Sequence, residues 1–301
     1  MNKIQSLTLL LVVFSLFSCA QQSSAKENRL EDRNRGGAST IESDQSSGYV
    51  LLYDSNFRQG WSSDIGRTFD SILIGYWKDG SWESYEENLP PIDQDIVLYT
   101  PMMETIEASI SDAFIDEFLG GPFLALDFSD EIQNFEGKMI GVNSDWDTTP
   151  RPMDIETENL NWILMDIRVY GSAQLKDMSM DVLKTISTDL DGNGEAEIVC
   201  LTKVFAPVYD YNAESDVPGA DWVTLIIERT KQDEVRIYQL DEIILSPDWH
   251  LANAEIWCID LNGDESIEIV EARDYYEFHS YVIYSYDGDK CEKISSNGFG
   301  V

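Results

Sequence analysis

The sequence predicts a mainly β fold with two or so helices (α+β), in which at least two β-propeller-like, four-stranded repeat units follow an irregular N-terminal part. Two observations carry this prediction. An acidic loop at Asp189–Val199 is echoed at Asp260–Val270, and both segments read Asp-x-Asp/Asn-x-Asn/Asp-x-x-x-Glu-Ile-Val without a gap. Short strand-like runs flank each loop, and the loops begin 71 residues apart (260 − 189). An internal repeat of this kind indicates one supersecondary unit per repeat.

In unit one, the predicted strands are Val182–Thr188, Glu197–Val204, Trp222–Glu228 and Val235–Leu240. A long insertion, Phe205–Gly219, interrupts this unit and contains Pro207 and Pro218. In unit two, the predicted strands are Ala254–Ile259, Ile267–Ala272, Tyr281–Tyr286 and Cys291–Ser295. Each unit is therefore a four-stranded meander with an acidic loop between its first two strands, which is the layout of a propeller blade.

The N-terminal part is expected to mix strands and one helix. Val50–Tyr53 and Ile72–Trp77 predict strands, and Asp79-Gly80 predicts a hairpin turn. The tryptophans of this region are expected to cover the hairpin, with an exposed sugar-binding platform as the alternative; they are Trp61, Trp77 and Trp82.

Further along, Ile96–Tyr99 predicts a strand and Thr100-Pro101 favours a helix start. Apolar residues at helical spacing then predict an amphipathic helix that ends at Gly120; they are Ile106, Ile110, Ala113, Phe114 and Phe118. Phe123–Val142 predicts two short strands around Gly137, and Trp146–Pro152 an irregular connection. The apolar spacing from Leu160 to Tyr170 predicts a second helix.

The first residues are expected to be a targeting segment. Lys3 supplies a positive charge, Leu7–Phe17 is an apolar run of signal-peptide length, and Leu16-Phe-Ser-Cys19 resembles a bacterial lipobox, in which the cysteine after the cleavage point is acylated. We expect residues 1–18 to be a lipoprotein signal peptide and Cys19 to carry the lipid, with an ordinary secretory signal as the alternative. Acyl chains would anchor the protein to a membrane of the bacterial cell envelope, facing the periplasm or the exterior.

Composition divides the rest of the chain. Residues 19–48 nearly lack aliphatic side chains, which is typical of a flexible tether. The following residues predict an N-terminal α+β part over 49–175 and the two repeat units over 176–301.

A formal net charge of −36 disfavours nucleic acid and anionic lipid as partners. It is compatible with cation binding or with a generally acidic secreted surface.

The number and spacing of the cysteines argue against a disulfide-dense scaffold and against a structural zinc site. Besides Cys19, the cysteines are Cys200, Cys258 and Cys291, which are too few for a disulfide-dense scaffold. A Cys200–Cys258 bridge and buried free thiols both stay open. No Cys-x-x-Cys pair is present, so a structural zinc site has no support.

The two acidic loops place oxygen donors at positions 1, 3, 5 and 9. The expected metal ligands of loop 1 are Asp189, Asp191, Asn193, the carbonyl of Glu195, and Glu197. Those of loop 2 are Asp260, Asn262, Asp264, the carbonyl of Ser266, and Glu268. Calcium takes six to eight oxygen ligands, whereas the octahedral demand of magnesium is rarely met by protein groups alone. Neither loop fits an EF-hand, and a metal-free acidic turn is the alternative for both.

The loops differ at position 6. Gly192 and Gly194 permit the backbone angles that a tight turn requires in loop 1. Loop 2 has Glu265 where loop 1 has Gly194, which leaves the occupancy of loop 2 open.

The two units resemble the FG-GAP or VCBS-type calcium-loop repeats of bacterial surface and secreted proteins. The order of acidic loop, Glu-Ile-Val strand and aromatic stretch (Tyr275-Tyr276-Glu277) is also similar to that of a poorly characterised group of bacterial lipoproteins. The resemblance covers about Val182–Val301. It implies a β-propeller-like fold with structural calcium, and no agreed activity.

Catalytic motifs are absent from the sequence. His250 and His279 lie in no nucleophile motif, and no phosphate-cradling glycine loop occurs. The expected function is a lipid-anchored, calcium-stabilised binding module for a protein or glycan, with its site on loops such as Phe205–Gly219. The alternatives are an envelope-anchored carbohydrate-active hydrolase, which needs only two carboxylates, and a purely structural envelope lipoprotein.

Overall fold

The structure, a computed structural model, describes eleven ranges of the chain: 47–60, 69–83, 89–116, 121–128, 135–143, 153–157, 160–210, 215–229, 234–247, 251–275 and 278–300. The predictions for residues 1–46, Trp61, the Trp146–Pro152 connection and His250 lie outside these ranges. Within them the chain is mainly β with three short helices, so the coarse fold class is confirmed. None of the described helices is long and apolar enough to cross a membrane.

The N-terminal part is a closed antiparallel barrel rather than the expected irregular region. Its elements are β1 (Ser47–Asp54), α1 (Ser55–Gly60), β2 (Ser71–Lys78), β3 (Ser81–Glu83), β4 (Asp95–Tyr99), β5 (Thr105–Asp116), β6 (Gly121–Phe128) and β7 (Lys138–Asn143). Six strands form the ring β1-β7-β4-β5-β6-β2, which closes because β2 also pairs with β1. The strand β3 extends β2 as a hairpin.

Side chains alternate between the inside and the outside of the barrel. Leu51, Leu73, Leu98 and Leu124 belong to one buried cluster inside the ring. Gly141 faces this interior, where a β-carbon would lie 2.6 Å from Leu51 Cδ1 and 2.8 Å from Leu98 Cδ2. The outward residues of the same strands join a second buried cluster, which includes residues of the C-terminal repeat. Because both faces of these strands are buried, their sequences read as continuous apolar runs.

The helix predicted over Ile106–Phe118 is wrong, since Thr105–Asp116 forms β5. Burial alternates up to Ile110, and a bulge between Ile110 and Asp112 then shifts the register against β6. The extra residue reverses the alternation, so that Ile110 faces the interior and Phe114 the exterior. The bulge thus places Ile110 and Ala113, three residues apart, on the interior side and Phe114 on the exterior side, and this spacing imitates that of a helix.

The helix start predicted at Thr100-Pro101 is wrong for a related reason. Thr100 Oγ1 accepts hydrogen bonds from the backbone N–H groups of Met102 (3.2 Å) and Glu104 (3.1 Å). The same capping chemistry here closes the turn between β4 and β5, with Met103 at a φ of 63°. By contrast, the predicted Asp79-Gly80 hairpin turn is confirmed between β2 and β3, with φ of 49° and 83°.

The tryptophans of this hairpin cover it. The rings of Trp77 and Trp82 pack edge to face with centroids 5.4 Å apart. Both are partly buried against the outer cluster of the barrel. A β-carbon on Gly75 would lie 2.8 Å from the Trp82 ring, so Trp82 lies directly over the strand. This arrangement matches the hairpin-covering interpretation rather than a free platform.

The C-terminal half forms two further antiparallel sheets. Repeat sheet 1 contains β8 (Asp154–Glu156), β9 (Ser179–Thr188), β10 (Glu197–Asp210), β11 (Ser215–Arg229), β12 (Val235–Gln239) and β13 (Ser246–Pro247). Its order is β12-β11-β10-β9-β8, with β13 on β11. Repeat sheet 2 is the meander β14 (Leu251–Ile259), β15 (Glu268–Tyr275), β16 (Phe278–Tyr286) and β17 (Cys291–Gly300). Each acidic loop joins the first two strands of its meander, as predicted.

The sheets are stacked in layers. On β15, Val270 and Ala272 belong to the cluster shared with the barrel, whereas Ile269 belongs to a cluster shared with repeat sheet 1. The other face of repeat sheet 1 is covered by α2 (Asn161–Tyr170) and α3 (Ala173–Asp177). Repeat sheet 2 is therefore a central layer, and α2 is the second helix that the sequence predicts.

The described residues of the predicted insertion, 205–210 and 215–219, form strands rather than a loop. They extend the β10–β11 hairpin, in which Phe205 pairs with Ala220 and Pro207 with Pro218. Proline has no N–H group to donate to a neighbouring strand. Two opposed prolines therefore occupy a pair in which both backbone nitrogens point away from the partner strand, toward the outer edges of the hairpin. The pairing of β10 with β9 ends at Phe205, and no donor is needed on that edge at Pro207.

The three cysteines within the described ranges are free thiols. Cys200 packs in the cluster under α2, and Cys258 packs between the two repeat sheets, so they lie on opposite faces of repeat sheet 1. A Cys200–Cys258 bridge is therefore excluded, and Cys291 is also free. Burial raises the pKa of each of these three thiols to about 12.

Candidate metal centre

Loop 1 brings three carboxylates together. Asp189 follows β9 and Glu197 begins β10, while Leu190 between them is fully buried and anchors the loop. One carboxylate oxygen each from Asp189, Asp191 and Glu197 lies within 4.8 Å of the other two. These are three of the five ligands predicted for the loop. All donors are hard oxygen atoms, the type that calcium prefers.

Hydrogen bonds between side chains and backbone fix the path of loop 1. The N–H of Gly194 donates to Asp189 Oδ2 (3.0 Å), and that of Asn193 donates to Asp191 Oδ1 (3.1 Å). The N–H of Leu190 donates to Glu197 Oε2 (2.9 Å). Asn193, at position 5, is exposed and accepts from the N–H of half-buried Glu195 through Oδ1 (2.7 Å). Each polar residue therefore holds the backbone two to seven residues away and turns its side chain inward.

Loop 2 repeats this network bond for bond. The N–H of Leu261 donates to Glu268 Oε2 (2.8 Å), and that of Glu265 donates to Asp260 Oδ2 (3.0 Å). The N–H of Asp264 donates to Asn262 Oδ1 (3.0 Å), and that of Ser266 donates to Asp264 Oδ1 (2.8 Å). All four bonds match those of loop 1 when positions 1 to 9 are aligned.

The missing glycine does not change the path of loop 2. Glu265 has a φ of 72° where Gly194 has 88°, and the preceding glycines, Gly263 and Gly192, have 72° and 74°. A side chain in this left-handed region costs on the order of 1 kcal/mol, which the surrounding hydrogen bonds offset.

Burial and charge distinguish the loops. Asp260, Asn262 and Glu268 are buried, whereas Asp189 and Asp191 are half-buried. In loop 2 the amide Nδ2 of Asn262 donates to Asp264 Oδ2 (3.1 Å) and to Glu268 Oε1 (3.3 Å). Position 3 of loop 2 is therefore an amide that links two carboxylates. In loop 1 the same position is itself a carboxylate, that of Asp191.

Crowding of carboxylates disfavours their charged forms. Burial, with the neighbouring Asp191 and Asp189, raises the pKa of Glu197 to about 7. Burial, with Asp264 and Asp260, raises the pKa of Glu268 to about 8. Burial also raises the pKa of Asp260. A divalent cation would reverse this balance, because it stabilises the ionised carboxylates that bind it.

Neighbouring segments connect the two loops. The N–H of Ile267 in loop 2 donates to the carbonyl of Leu190 in loop 1 (2.9 Å), so the repeat sheets meet at the loops. A β-carbon on Gly288 would lie 2.5 Å from Asp191 Oδ2, which places the β16–β17 turn directly on loop 1. The sequence contains no local signal for either contact, because both join residues that are distant in the chain.

Two buried polar clusters also lie between the layers, and sequence reasoning missed both. Lys138 of the barrel pairs with Asp54 and with Asp274 (3.0 Å), and His279 Nδ1 lies 2.8 Å from Asp274 Oδ1. His279 is therefore a strand residue of β16 whose ring belongs to this largely buried cluster.

The second buried cluster lies between the two repeat sheets. Glu271 accepts from Thr224 Oγ1 (2.5 Å) and from Arg273 (2.8 Å). Both clusters join residues of different layers, and their contacts give them a role in holding the layers together.

A cleft of about 500 Å³ lies on the extended β10–β11 hairpin. Its lining residues are Ser179, Phe205, Ala206, Pro207, Asp216, Val217, Pro218 and Gly219. Nearby, Lys203 Nζ lies 5.3 Å from the centroid of the Phe205 ring and 5.5 Å from that of Trp222. The segment that the sequence predicts to carry a binding site therefore lines a cleft, although it is a hairpin and not a loop.

No protein family, curated protein or solved structure matches this chain. The resemblance to calcium-loop repeats therefore stays a prediction.

Proposed function

We propose that this protein is a cell-envelope lipoprotein whose calcium-stabilised β-repeat domain acts as a binding module at the cell surface. The observation that carries the proposal is the convergence of Asp189, Asp191 and Glu197 in a loop that also contacts the second repeat. A cation in loop 1 would neutralise the three carboxylates and stabilise the junction of the two repeat sheets. The lipid anchor on Cys19 belongs to the same proposal and rests on the sequence alone.

Calcium fits loop 1 better than other common ions do. The donors are carboxylate and amide oxygens on an exposed, glycine-containing loop, which allows high coordination numbers and irregular geometry. No cysteine or histidine is a predicted ligand, which argues against zinc and copper. Loop 2 has the same backbone path and is proposed as a second, more buried calcium loop, although among the described residues only the loop 1 carboxylates converge closely enough to share one ion.

The repeat sheets are proposed to be propeller-like neighbours. The meander β9–β12, which is part of the six-stranded repeat sheet 1, packs through one apolar cluster against the four-stranded meander β14–β17, and each meander has an equivalent acidic loop. Adjacent propeller blades have this relationship. The barrel occupies the outer face of repeat sheet 2, so the proposed blades form a pair rather than a closed ring within the described residues.

The binding site is proposed to be the cleft on the β10–β11 hairpin. Its volume of about 500 Å³ lies within the range of ligand pockets. Phe205, Pro207 and Pro218 give it an apolar, rigid lining, and Lys203 and Asp216 supply charge beside it. Such a surface suits a glycan or a short protein segment, because both combine apolar faces with hydrogen-bonding groups.

Thermal unfolding with and without calcium tests the metal proposal. Saturation at about 100-fold over the dissociation constant stabilises a protein by about 2.7 kcal/mol per site, so calcium is expected to raise the melting temperature by several degrees. Asp189→Ala should lose most of this response, whereas the exposed control Asp95→Ala should keep it. A melting temperature that neither calcium nor chelator changes would refute the metal proposal.

Ligand screening tests the binding proposal separately. Binding of a glycan or protein that is lost in Phe205→Ala, without product formation, would support a binding module. Release of reducing sugar would instead establish the hydrolase, and no response in either assay would favour a structural lipoprotein. Cys19→Ala should move the protein out of the membrane fraction if the cysteine carries the lipid.

A further inference from the structure

The helix α2 has apolar residues on the face that points away from the protein. Ile163 and Ile167 are fully buried against repeat sheet 1. On the other side, Trp162, Met165 and Val169 follow one another at i, i+3 and i+7 and are 38%, 69% and 59% exposed. A helix that is apolar on both sides is normally buried on both sides. We therefore infer that the stripe formed by Trp162, Met165 and Val169 is an interface, and we propose a second copy of this chain as its partner.

The composition of the stripe favours a protein partner over a lipid surface. Arg229 lies over the Trp162 ring, 5.5 Å from its centroid, and also pairs with Asp166, so the aromatic side chain is held in place. Half-exposed Tyr170 adjoins the stripe. Aromatic residues, Met and Arg are enriched at protein interfaces, and pre-positioned Trp side chains are typical binding anchors. The net charge of −36 opposes adsorption to anionic lipid, and between two copies it weakens association at low salt.

The surface beside the stripe has a shape that could accept the stripe of another copy. A cavity of about 270 Å³ lies next to it, lined by Asp166, Tyr170, Arg229 and Val235. Met165 protrudes, with 69% of its surface exposed, on the side of the stripe that points away from this cavity. A protruding side chain and a cavity on one surface are what a two-fold symmetric interface requires, because each copy fills the cavity of the other.

The charges at the edges of the stripe specify how the helices pair. At 100° per residue, Asp166 lies on one edge of the stripe and Arg168 on the opposite edge. A two-fold axis parallel to the helices sets each edge against the opposite edge of the partner, so the Asp166–Arg229 ion pair would face the second copy's arginine at position 168. Antiparallel pairing would instead set the arginine edges of the two copies against each other. The charge pattern therefore favours parallel helices.

The expected dimer is weak. Stable interfaces bury about 800 Å² on each partner, whereas these few side chains expose on the order of a few hundred Å². We expect association in the micromolar range or weaker, which is about 8 kcal/mol or less.

Sedimentation of the protein carrying Cys19→Ser, which removes the acylation site, tests this inference. The mass should rise with concentration, and Met165→Glu should weaken association at least about tenfold. Met102→Glu is the matched control, because Met102 is 65% exposed on the turn between β4 and β5 of the barrel. Equal effects of the two substitutions, or a monomer at every concentration, would overturn the proposal.

Cross-linking tests the parallel arrangement and excludes the other partner. In a background that also carries Cys291→Ser, Trp162→Cys and Val169→Cys should each form a disulfide with the same position of a second copy. Antiparallel helices would allow at most one of these links, which would overturn the parallel pairing. Binding of the monomeric protein to phosphatidylcholine vesicles, lost in Met165→Glu, would assign the stripe to lipid instead.

Discussion

The two acidic loops follow the same backbone path with different side chains. Four equivalent hydrogen bonds define each path, and both loops have two residues with positive φ at positions 4 and 6. Loop 1 has Asp at position 3 and Asn at position 5, whereas loop 2 has the reverse order. The number of carboxylates at the side-chain ligand positions is therefore equal, and only their placement differs.

Burial explains this placement. Position 3 is half-buried as Asp191 in loop 1, but it is 7% exposed as Asn262 in loop 2. An ionised carboxylate loses more hydration energy on burial than an amide does. The amide also donates hydrogen bonds to the carboxylates of Asp264 and Glu268. Backbone hydrogen bonds therefore determine the path of such a loop, while burial determines which polar group each position tolerates.

The largest expected effect concerns pH in the absence of metal. Unfolded glutamates titrate near 4.3, whereas the folded chain raises the pKa of Glu197 to about 7 and of Glu268 to about 8. Stability from these groups is present below the unfolded pKa and is lost as the pH rises through the folded values. Chelated protein should therefore lose about 2–4 kcal/mol of unfolding free energy between pH 5.5 and pH 7.5.

Chemical denaturation in chelator at the two pH values measures this loss. Glu268→Gln should flatten the pH dependence more than Glu197→Gln, because the loop 2 glutamate is shifted further. Saturating calcium should abolish the loss, since bound metal requires ionised ligands. A chelated protein that becomes more stable over this range would contradict the electrostatic description of both loops.

Replacing the first aspartate of each loop distinguishes the roles of the two loops. Each substitution should change the free energy of unfolding by about 2–3 kcal/mol. Asp189→Ala should remove mainly the calcium response. Asp260→Ala should lower the stability of the chelated protein more, because buried Asp260 accepts from the N–H groups of Gly263 (2.7 Å) and Glu265 (3.0 Å). Thermal unfolding of both variants in chelator and in calcium gives the comparison. Identical behaviour of the two would mean that the difference in burial has no energetic consequence.

The sequence predicts these loops well because their determinants are local. Side chains of Asp, Asn and Glu bond backbone groups within seven residues, and a continuous strand follows each loop. The Asp79-Gly80 turn is predictable for the same reason. Glu265 adopts the positive φ that glycine has in loop 1, so the backbone path does not require the glycine, while the metal occupancy of loop 2 stays a prediction.

The barrel and the layer contacts could not be predicted in this way. Closure pairs Val50 with Val142 and with Gly75, and nothing in the neighbourhood of these residues specifies such partners. The bulge at Ser111 gave β5 the apolar spacing of a helix. Pro207 and Pro218 were interpreted as loop residues, because the sequence does not show that they lie opposite each other.

The contact between the β16–β17 turn and loop 1 is tested by Gly288→Ala, with an expected cost of about 2 kcal/mol. Gly288 has a φ of 89°, and an added β-carbon would lie 2.5 Å from Asp191 Oδ2. Gly80→Ala is the matched control, since Gly80 has a φ of 83° and nothing within 4 Å of its β-carbon position. The control should cost only the backbone penalty of about 1 kcal/mol.

Unfolding in calcium and in chelator distinguishes the two glycine variants. Gly288→Ala should also reduce the calcium response, because it displaces a ligand of loop 1, whereas Gly80→Ala should leave that response intact. Equal costs and equal calcium responses would show that the turn does not support loop 1.

Substitutions at position 6 have the smallest expected effect on stability. They also exchange the residue types of the two loops most directly. Gly194→Ala should destabilise the protein by about 1 kcal/mol through its left-handed backbone alone, since no atom lies within 4 Å of its β-carbon position. Glu265→Gly should stabilise it by up to about 0.5 kcal/mol, because relief of the backbone strain exceeds the added entropy of the unfolded chain. The two substitutions should shift the midpoint of denaturation in opposite directions. If Glu265→Gly destabilised the protein instead, the Glu265 side chain would contribute contacts that Gly194 lacks, and the two loops would not be equivalent at this position.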